Sequence, residues 1–361
     1  DANPANSTTF TYDVDGQVAT STDATGAKSS YGYDNVGRLT STISPRGNVS
    51  GATPANFTTT FTVDGYGAAT GVAAPATSAI TRTFDADHNL LTETGPDGNT
   101  TTYVYDGVGR LTATQVASNT GSPSVSKQRW WADGSLKERE DPAGNITSYV
   151  YDEAGRLTSE ADPSGTRGYG YDAFGRVVAK QDPGGNCAAT PATGCTTFGY
   201  DNASQLKTVT YSDGATPSIT ASVYDANGRL RSRTSASATT TQVWDTLGRM
   251  TSSTVGSTTT GYGYDFAGRT TSITYPGFAT PVTRAYDAAG RWTSVNDGAS
   301  RTTTFGYDED SNLRTVTFPG SVNVDTYSVD NAGRPMAVTL AQAATTLGSF
   351  TYTRDGAGRV T

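Results

Sequence analysis

A six-residue phrase recurs along the entire chain and constrains its fold more than any other feature. The phrase consists of an aromatic residue, aspartate, two variable residues, glycine and arginine, and it occurs sixteen times, in complete or degenerate form, over 361 residues. Its clearest copies supply Tyr33, Asp34, Gly37, Arg38, Tyr105, Asp106, Gly109, Arg110, Tyr151, Asp152, Gly155, Arg156, Tyr171, Asp172, Gly175, Arg176, Tyr264, Asp265, Gly268 and Arg269. Such a period predicts an array of units that bury apolar surface against their neighbours, so one unit alone should be unstable.

The aspartates of the phrase mark the units along the chain at a mean spacing of about 23 residues. They are Asp13, Asp34, Asp64, Asp85, Asp106, Asp133, Asp152, Asp172, Asp201, Asp225, Asp245, Asp265, Asp287, Asp308, Asp330 and Asp355. We therefore expect residues 1–361 to form one array of about sixteen units, with no separate catalytic domain. Because both ends interrupt a unit, we expect the array to be part of a longer polypeptide.

Each unit reads as two strands and two turns. A turn at 141–145 precedes a strand at 146–151, and a second turn at 152–156 precedes a strand at 157–161. Proline second and glycine fourth in the first turn suit a type I turn, and Thr, Val, Ile and Tyr fill the strands. No stretch of ten or more residues shows the 3.6-residue apolar period of a helix. The chain is predicted to be a train of β-hairpins with almost no helix.

In eight units a second aromatic residue stands two positions before the aromatic residue of the phrase, as in Tyr149 and Tyr151. Residues two apart in a strand share a face, so these rings are expected to stack into ladders across neighbouring hairpins. We interpret the stripe as the core of the array, since Leu, Ile, Val and Phe make up only about 15% of the residues. A platform that binds carbohydrate is the alternative interpretation.

The number of strands limits the shape of the sheet. Two strands in each of sixteen units give about 32 strands, or a flat width of about 150 Å at roughly 4.8 Å per strand. Twisted open sheets rarely exceed about ten strands without curling or splitting. The sequence therefore predicts an all-β fold in which one continuous antiparallel sheet winds into a spiral, a solenoid or the wall of a shell.

Each residue of the phrase has a mechanical interpretation. Aspartate at the end of a strand can accept hydrogen bonds from turn amides, and glycine can adopt the left-handed backbone conformation. Arginine can lie over a neighbouring tyrosine or bridge to the aspartate of the next unit, which predicts an Asp/Arg ladder along one edge. The alternative is that each arginine is a solvated surface charge. His88 stands where the phrase has glycine, so we interpret it as a turn residue.

The phrase, with Asp-Pro-x-Gly-Asn between some copies, resembles the YD or RHS repeat. That repeat is found in bacterial Rhs and wall-associated toxin proteins, in the B and C components of insecticidal Tc toxins, and in teneurins. The resemblance covers essentially the whole chain and implies a β-ribbon that spirals into a hollow shell. In several members the shell encloses a C-terminal toxin or effector. The self-cleaving segment of the complete family pattern and a following toxin domain have no counterpart in residues 1–361.

Three units are longer than the rest, with gaps of about 30 residues between their aspartates. One of these gaps contains both cysteines, Cys187 and Cys195, with seven residues between them that include proline and glycine. Their even number and the intervening turn residues predict a disulfide, with reduced thiols as the alternative. Another longer unit contains Trp130 and Trp131, which we interpret as filling a wide gap in the wall rather than binding a ligand.

The sequence gives little support for catalysis or for cofactor binding. The single histidine argues against a Ser-His-Asp set, and no Walker A loop, nucleophile elbow or dinucleotide-binding glycine motif is present. Two stretches, beginning at Asp85 and Asp308, resemble the start of a calcium loop but have leucine and proline where glycine and glutamate are required. We therefore predict no enzyme activity, no cofactor and no metal site.

The net charge of −8 argues against nucleic acid or an anionic membrane as a partner. No run of residues is apolar enough to span a membrane. We expect a structural scaffold of a secreted protein, part of a shell around a toxin carried by its own polypeptide. The alternative is an extracellular adhesive or filament-forming surface protein that contacts identical subunits or cell-surface glycans.

Overall fold

Strands account for nearly all of the regular structure. The computed structural model describes residues 7–117, 121–343 and 345–361, which form 31 antiparallel strands in one sheet. These residues contain no α-helix, and their helical elements are two 3₁₀ turns, Pro45–Asn48 and Pro54–Phe57. The prediction of an all-β fold built as one continuous antiparallel sheet is confirmed.

The strands are short and evenly distributed along the chain. The first ten are β1 (Thr9–Tyr12), β2 (Val18–Thr22), β3 (Lys28–Tyr33), β4 (Leu39–Ile43), β5 (Thr58–Val63), β6 (Ala69–Ala73), β7 (Ile80–Phe84), β8 (Leu90–Thr94), β9 (Thr100–Tyr105) and β10 (Leu111–Val116). The next ten are β11 (Ser124–Trp130), β12 (Leu136–Glu140), β13 (Ile146–Tyr151), β14 (Leu157–Asp162), β15 (Gly165–Tyr171), β16 (Val177–Asn186), β17 (Thr193–Tyr200), β18 (Leu206–Tyr211), β19 (Ile219–Tyr224) and β20 (Leu230–Ser235). The last eleven are β21 (Thr239–Trp244), β22 (Met250–Val255), β23 (Thr258–Tyr264), β24 (Thr270–Thr274), β25 (Val282–Tyr286), β26 (Trp292–Asn296), β27 (Thr302–Tyr307), β28 (Leu313–Thr317), β29 (Asn323–Val329), β30 (Pro335–Gln342) and β31 (Thr345–Thr351).

Every strand pairs with the strands before and after it in the sequence, so the sheet follows the order of the chain. Each turn of the repeat phrase follows an odd-numbered strand, and all of these turns lie along one edge, called here the repeat-turn edge. The turns from even to odd strands lie along the opposite edge, called here the connection edge. This alternation places every copy of the phrase at the same rim of the ribbon.

The ribbon winds on itself, as the strand count predicted. Arg46 on the connection edge contacts Asp310 on the repeat-turn edge, 264 residues later. Farther along, Arg334 donates to the carbonyl of Ala76, 258 residues away, and Arg359 contacts Asp97, 262 residues away. One winding therefore takes about twelve units or 24 strands, which at about 4.8 Å per strand gives a diameter of roughly 37 Å.

The sheet is a single layer, so few of the described side chains are fully buried. The buried apolar residues are Cys195, Val209 and Val316, and the buried polar residue is Ser222. A conventional core between two layers is therefore absent from the described part of the chain. The free energy of folding must come from strand pairing and from the contacts that each unit repeats with its neighbours.

Candidate functional site: the repeat-turn edge and the winding seam

The aspartate of each complete phrase closes its own turn. In the unit of Asp152, the backbone amide of Asp152 donates to the carbonyl of Arg156 at 2.9 Å, and the amide of Gly155 donates to the carbonyl of Asp152 at 3.0 Å. The Oδ1 atom of Asp152 accepts from the amides of Ala154 and Arg156 at 3.0 and 2.9 Å. Gly155 has a φ of 75°, which completes a type I turn followed by a left-handed residue. The sheet register shifts by one residue before Tyr151, as this turn requires.

The arginine of the phrase links its own turn to the next unit. Nε of Arg156 donates to Oδ2 of Asp152 at 2.7 Å, so the ion pair lies within one unit. The guanidinium then lies over the ring of Tyr171, with Cζ 4.7 Å from the ring centroid, and Nη1 donates to the backbone carbonyl of Asp172 at 3.3 Å. Arginine reaches the ring and the carbonyl of the next unit, whereas the expected bridge to the next carboxylate is not formed, because that carboxylate is bound within its own turn.

This arrangement recurs along the edge. The arginine and the aromatic residue of the following unit are Arg110 and Trp130, Arg156 and Tyr171, Arg176 and Tyr200, Arg229 and Trp244, Arg249 and Tyr264, Arg269 and Tyr286, and Arg291 and Tyr307. Centroid distances range from 4.7 Å to 6.0 Å. Ring-to-ring contacts within the described residues are limited to Tyr66 with His88, Phe84 with His88, and Trp292 with Phe305. The expected ladder of stacked rings is therefore wrong, because equivalent rings stand two strands apart and a guanidinium lies over the seven rings named above.

The aromatic residue of the phrase also makes a backward link that the sequence reasoning missed. The hydroxyl of Tyr171 donates to the carbonyl of Leu157 at 2.7 Å, and Nε1 of Trp244 donates to the carbonyl of Leu230 at 2.8 Å. The acceptor is in each case the first residue of the return strand in the preceding unit. The same bond is made by Tyr33, Tyr105, Trp130, Tyr200, Tyr224, Tyr264 and Tyr286. The signal available in the sequence was the replacement of Tyr by Trp, which also carries a ring donor.

Degenerate units keep the shape of the turn with different residues. His88, Ser204 and Ser311 occupy the glycine position with φ values of 64°, 62° and 66°. The prediction that His88 is a left-handed turn residue is confirmed. His88 also makes an edge-to-face contact with Tyr66 of the preceding turn, at 4.5 Å between ring centroids.

The unit assigned to Asp133 is placed differently from the prediction. The amide of Trp131 donates to the carbonyl of Ser135 and its carbonyl accepts from Gly134, so Trp131 holds the aspartate position and Trp130 the aromatic position. Asp133 lies later in the turn, where Oδ1 accepts from the amide and hydroxyl of Ser135. The assignment by aspartate was wrong because glycine and the strand register, rather than the acidic residue, fix this turn.

Hydrogen bonds within the turns favour the ionised form of the aspartates. The side chain and backbone amide of Arg156 lower the pKa of Asp152, and the backbone amide and side chain of Arg38 lower the pKa of Asp34. On the connection edge, hydrogen bonds from Arg167 and Ser164 lower the pKa of Asp162 from 3.8 to about 2. These carboxylates stay charged at neutral pH, a state that suits structural anchoring rather than proton transfer.

Both cysteines lie on the connection edge, away from the repeat turns. Cys187 and Cys195 form a disulfide with an S–S distance of 2.07 Å and a Cα–Cα distance of 5.3 Å. The bond ties together the extended hairpin of β16 and β17, and the side chain of Cys195 is buried.

The seam between the first and second windings centres on Arg46. Nε of Arg46 donates to Oδ2 of Asp310 at 2.6 Å, its backbone amide donates to Oδ1 at 2.8 Å, and Asp308 lies 3.7 Å away. The guanidinium lies over Phe57, 5.2 Å from the ring centroid, and Nη2 donates to the carbonyl of Asp330 at 2.9 Å. The longer unit that supplies Arg46 and Phe57 on its two 3₁₀ turns therefore joins one winding to the next.

The acidic stretches that resemble calcium loops are engaged by protein groups. Asp85 accepts from the amides of Asp87 and Asn89 and from the Asn89 side chain. Asp310 is held by Arg46, as described above. Over residues 7–117, 121–343 and 345–361, no group of three or more His, Cys, Asp or Glu side chains is arranged to hold a metal ion.

A ribbon of hairpins that closes on itself through a seam defines the class of β-ribbon shell proteins. Within this class the chain belongs to the RHS repeat family. The family model, RHS Repeat, matches residues 6–49, 84–120, 130–167, 151–186, 224–260 and 286–322, more than half of the chain. No curated protein matches the chain significantly in sequence.

Solved structures of Tc toxin proteins share the fold. TcdB2-TccC3-TEV aligns with a TM-score of 0.74 at 17% identity, over 100% of this chain and 23% of that chain. The Photorhabdus luminescens Tc holotoxin pore aligns with a TM-score of 0.75 at 16% identity, over 98% of this chain and 22% of that chain. TcdB2-TccC3 aligns with a TM-score of 0.68 at 17% identity, over 98% of this chain and 20% of that chain. The chain thus spans less than a quarter of these proteins, and the likeness shows the shell fold.

Among the helical elements of the described residues, none has the length and apolar character needed to cross a membrane.

Proposed function

We propose that the chain is a non-catalytic section of the wall of a secreted shell, and that the shell encloses a toxin or effector segment of the same, longer polypeptide. The observation that carries the proposal is the seam at Arg46, where the sheet meets itself after about twelve units and so surrounds an interior. With a diameter of roughly 37 Å and a sheet about 10 Å thick, each winding encloses a space about 27 Å across. A space of this width admits a polypeptide segment.

A structural rather than enzymatic role is supported by the placement of the reactive groups. His88 packs against Tyr66 in a turn, and the phrase aspartates are held by turn amides and arginines. A cleft of about 630 Å³ at the seam is lined by Tyr31, Phe57 and Asp310, among other residues. Of the carboxylates that line this cleft, Asp310 is held by Arg46, and Asp23 accepts hydrogen bonds from Thr25 and Ala27 of its own turn.

An extracellular location and a passenger as partner complete the proposal. Disulfides persist in oxidising environments, which favours secretion or the cell surface. The similar solved structures are named as toxin proteins, one of them as a Tc holotoxin pore. For this chain we propose the remainder of its own polypeptide as the enclosed partner.

Protease protection tests the proposal in the parent polypeptide. The segment downstream of the repeats should resist digestion in the intact protein and become sensitive when the seam is opened by Asp310→Ala. Arg301→Ala, which removes an exposed arginine from a single connection turn, serves as the matched control and should leave protection unchanged. A downstream segment that is digested at the same rate in the intact and seam-opened proteins would rule out enclosure.

A further inference from the structure

A cleft opens on one face of the sheet, at the seam where the second winding meets the first. Its volume is about 630 Å³, and its first wall comes from β2–β5, with Asp23 and Tyr31 among the residues that line it. The second wall comes from the repeat turns that follow β27 and β29, with Glu309 and Asn331. Because the seam brings these two walls together, the cleft belongs to the winding itself and to neither rim of the ribbon.

An aromatic ring held in one orientation forms part of the first wall. Tyr31 pairs with Thr42 across β3 and β4, and Thr42 pairs with Thr59 across β4 and β5, so the three side chains share one face of the sheet. The Tyr31 hydroxyl shares a hydrogen bond of 2.9 Å with Oγ of Ser21, which also lines the cleft. Among the described residues no guanidinium lies over the Tyr31 ring, in contrast to the ring of Tyr171. The ring is therefore fixed in place and open to a ligand.

Several polar groups beside this ring have no partner in the described part of the chain. Oδ1 of Asp23 accepts from the amide and hydroxyl of Thr25 and from the amide of Ala27, whereas Oδ2 of Asp23 accepts no hydrogen bond. Three hydroxyl groups that line the cleft are unpartnered in the same way, those of Ser29, Thr42 and Thr59. Water or a ligand must satisfy such groups. The cleft thus surrounds an aromatic ring with one free carboxylate oxygen and several free hydroxyls.

The lining disfavours two classes of ligand. None of the described residues that line the cleft is Lys, Arg or His, so the lining offers no cation to a phosphate or a carboxylic acid. Each of the strands β2–β5 is hydrogen-bonded to a strand on either side, so this wall presents no free backbone edge to an extended peptide. A ring, a carboxylate oxygen and hydroxyls together suit a ligand that is neutral and rich in hydroxyl groups.

We propose that this cleft binds a short neutral oligosaccharide. The apolar C–H face of one sugar ring lies on the ring of Tyr31, which supplies a flat apolar surface. The hydroxyls of the sugar donate to Oδ2 of Asp23 and form hydrogen bonds with the free hydroxyls of the lining. The volume of the cleft falls within the roughly 300–1,000 Å³ typical of sites for small ligands. The site lies between two windings and does not depend on the passenger of the proposed function.

Isothermal titration calorimetry of the 361-residue chain with cellotriose, maltotriose and N-acetylated chitotriose tests the proposal. At least one of these trisaccharides should bind with a dissociation constant of about 1 mM or below. Asp23→Asn keeps an oxygen for the turn amides but removes the free carboxylate acceptor, so it should weaken binding by about tenfold or more. Tyr31→Ala should weaken binding to a similar extent. Asp141→Asn and Tyr149→Ala change the equivalent turn and strand positions of a unit outside the cleft and should bind like the unchanged chain.

Hydrogen exchange locates the bound sugar. Protection should increase in β3 and in the turn at 309–312, because the ligand contacts both walls, and should not change around Tyr149. Protection confined to other units overturns the proposal, as does the absence of binding by all three sugars. Equal affinity of the Asp23→Asn variant and the unchanged chain also overturns it, and this variant decides the matter if Tyr31→Ala fails to fold. Binding of spermidine but of none of the sugars would assign the cleft to an organic cation and overturn the proposal as well.

Discussion

Arg46 and Asp310 are separated by 264 residues, yet the arginine donates to both carboxylate oxygens of the aspartate, through Nε at 2.6 Å and the backbone amide at 2.8 Å. Both side chains are largely buried, each with 13% of its side-chain surface exposed. Arg46 also lies over Phe57 of its own unit and reaches the carbonyl of Asp330 two strands farther on. Arg46 thus holds the first winding against the second, together with the contacts of Arg334 and Arg359 farther along the seam.

Removing this arginine should open the seam. Arg46→Ala removes the guanidinium that pairs with Asp310 and leaves that carboxylate with the backbone amide of residue 46 and the hydroxyl of Ser44 as donors. Losing one member of a mostly buried ion pair costs about 3 kcal/mol. Chemical denaturation should show the loss, and hydrogen exchange should rise at the 3₁₀ turns Pro45–Asn48 and Pro54–Phe57. The control Arg301→Ala breaks an ion pair whose arginine is 70% exposed and should cost less than about 1 kcal/mol. Equal losses of stability in the two variants would contradict the role of Arg46 in holding the two windings together.

The arginines of the phrase should contribute more than their ion pairs alone. Arg156→Ala removes the pair with Asp152, the contact with the ring of Tyr171 and the bond to the next carbonyl, for an expected loss of about 1.5 kcal/mol. Arg301 forms the same kind of pair with Asp297 within a connection turn. Comparing the thermal melts of the two alanine variants therefore separates the stability contributed by contacts between units from that contributed by an ion pair within one turn. A loss for Arg156→Ala no larger than that for Arg301→Ala would reject the link.

The hydroxyl of the repeat tyrosine should contribute about as much to the free energy of unfolding as one hydrogen bond. Tyr264→Phe leaves the carbonyl of Met250 without its donor at 2.6 Å and should cost about 1 kcal/mol. The opposite substitution can be made at Phe84, which occupies the equivalent position of its unit and has no hydroxyl. Phe84→Tyr should stabilise the protein by up to about 1 kcal/mol. Melting temperatures that move in the same direction for both variants would contradict this role of the hydroxyl.

The series of β-hairpins could be predicted because the residues that determine each turn and strand lie within the unit itself. Asp152 closes the turn, Gly155 takes the left-handed position, and Thr, Val and Tyr form strands on either side. All of these contacts lie within a few residues of each other in the sequence. The assignment failed at Trp131 for the same local reason, since an aspartate was counted where the position of Gly134 decided the turn.

The winding seam could not be predicted because it depends on the sum of many small rotations. Each strand adds a modest twist, and about 24 strands must accumulate before Arg46 meets Asp310. The partner of each arginine could not be predicted from the sequence either. The side chain of Arg156 is long enough to reach the carboxylate of its own turn or that of the next turn. Only the structure shows that it takes its own carboxylate and the neighbouring ring.

The disulfide should stabilise the long hairpin of β16 and β17 locally. Replacing both Cys187 and Cys195 by alanine releases a short loop, for an expected loss of about 2 kcal/mol. Hydrogen exchange should rise in this hairpin and remain unchanged in distant strands such as β5 (Thr58–Val63). Peptide mapping without reduction checks the bond itself. Recovery of separate Cys187 and Cys195 peptides would contradict the pairing.

Acid should weaken the array through its aspartates. The folded state lowers the pKa of Asp34, Asp152 and Asp162, the last from 3.8 to about 2. A lowered folded pKa means that the unfolded chain binds protons first, so the stabilisation is fully present above about pH 4 and is lost as the pH falls toward about 2. Melting temperatures should therefore be flat from pH 7 to 5 and fall steeply between pH 4 and 2. Asp162→Asn should lower the melting temperature at pH 7 and make the fall below pH 4 smaller, because one linked proton is removed. A variant that keeps the full acid dependence would exclude Asp162 as a contributor.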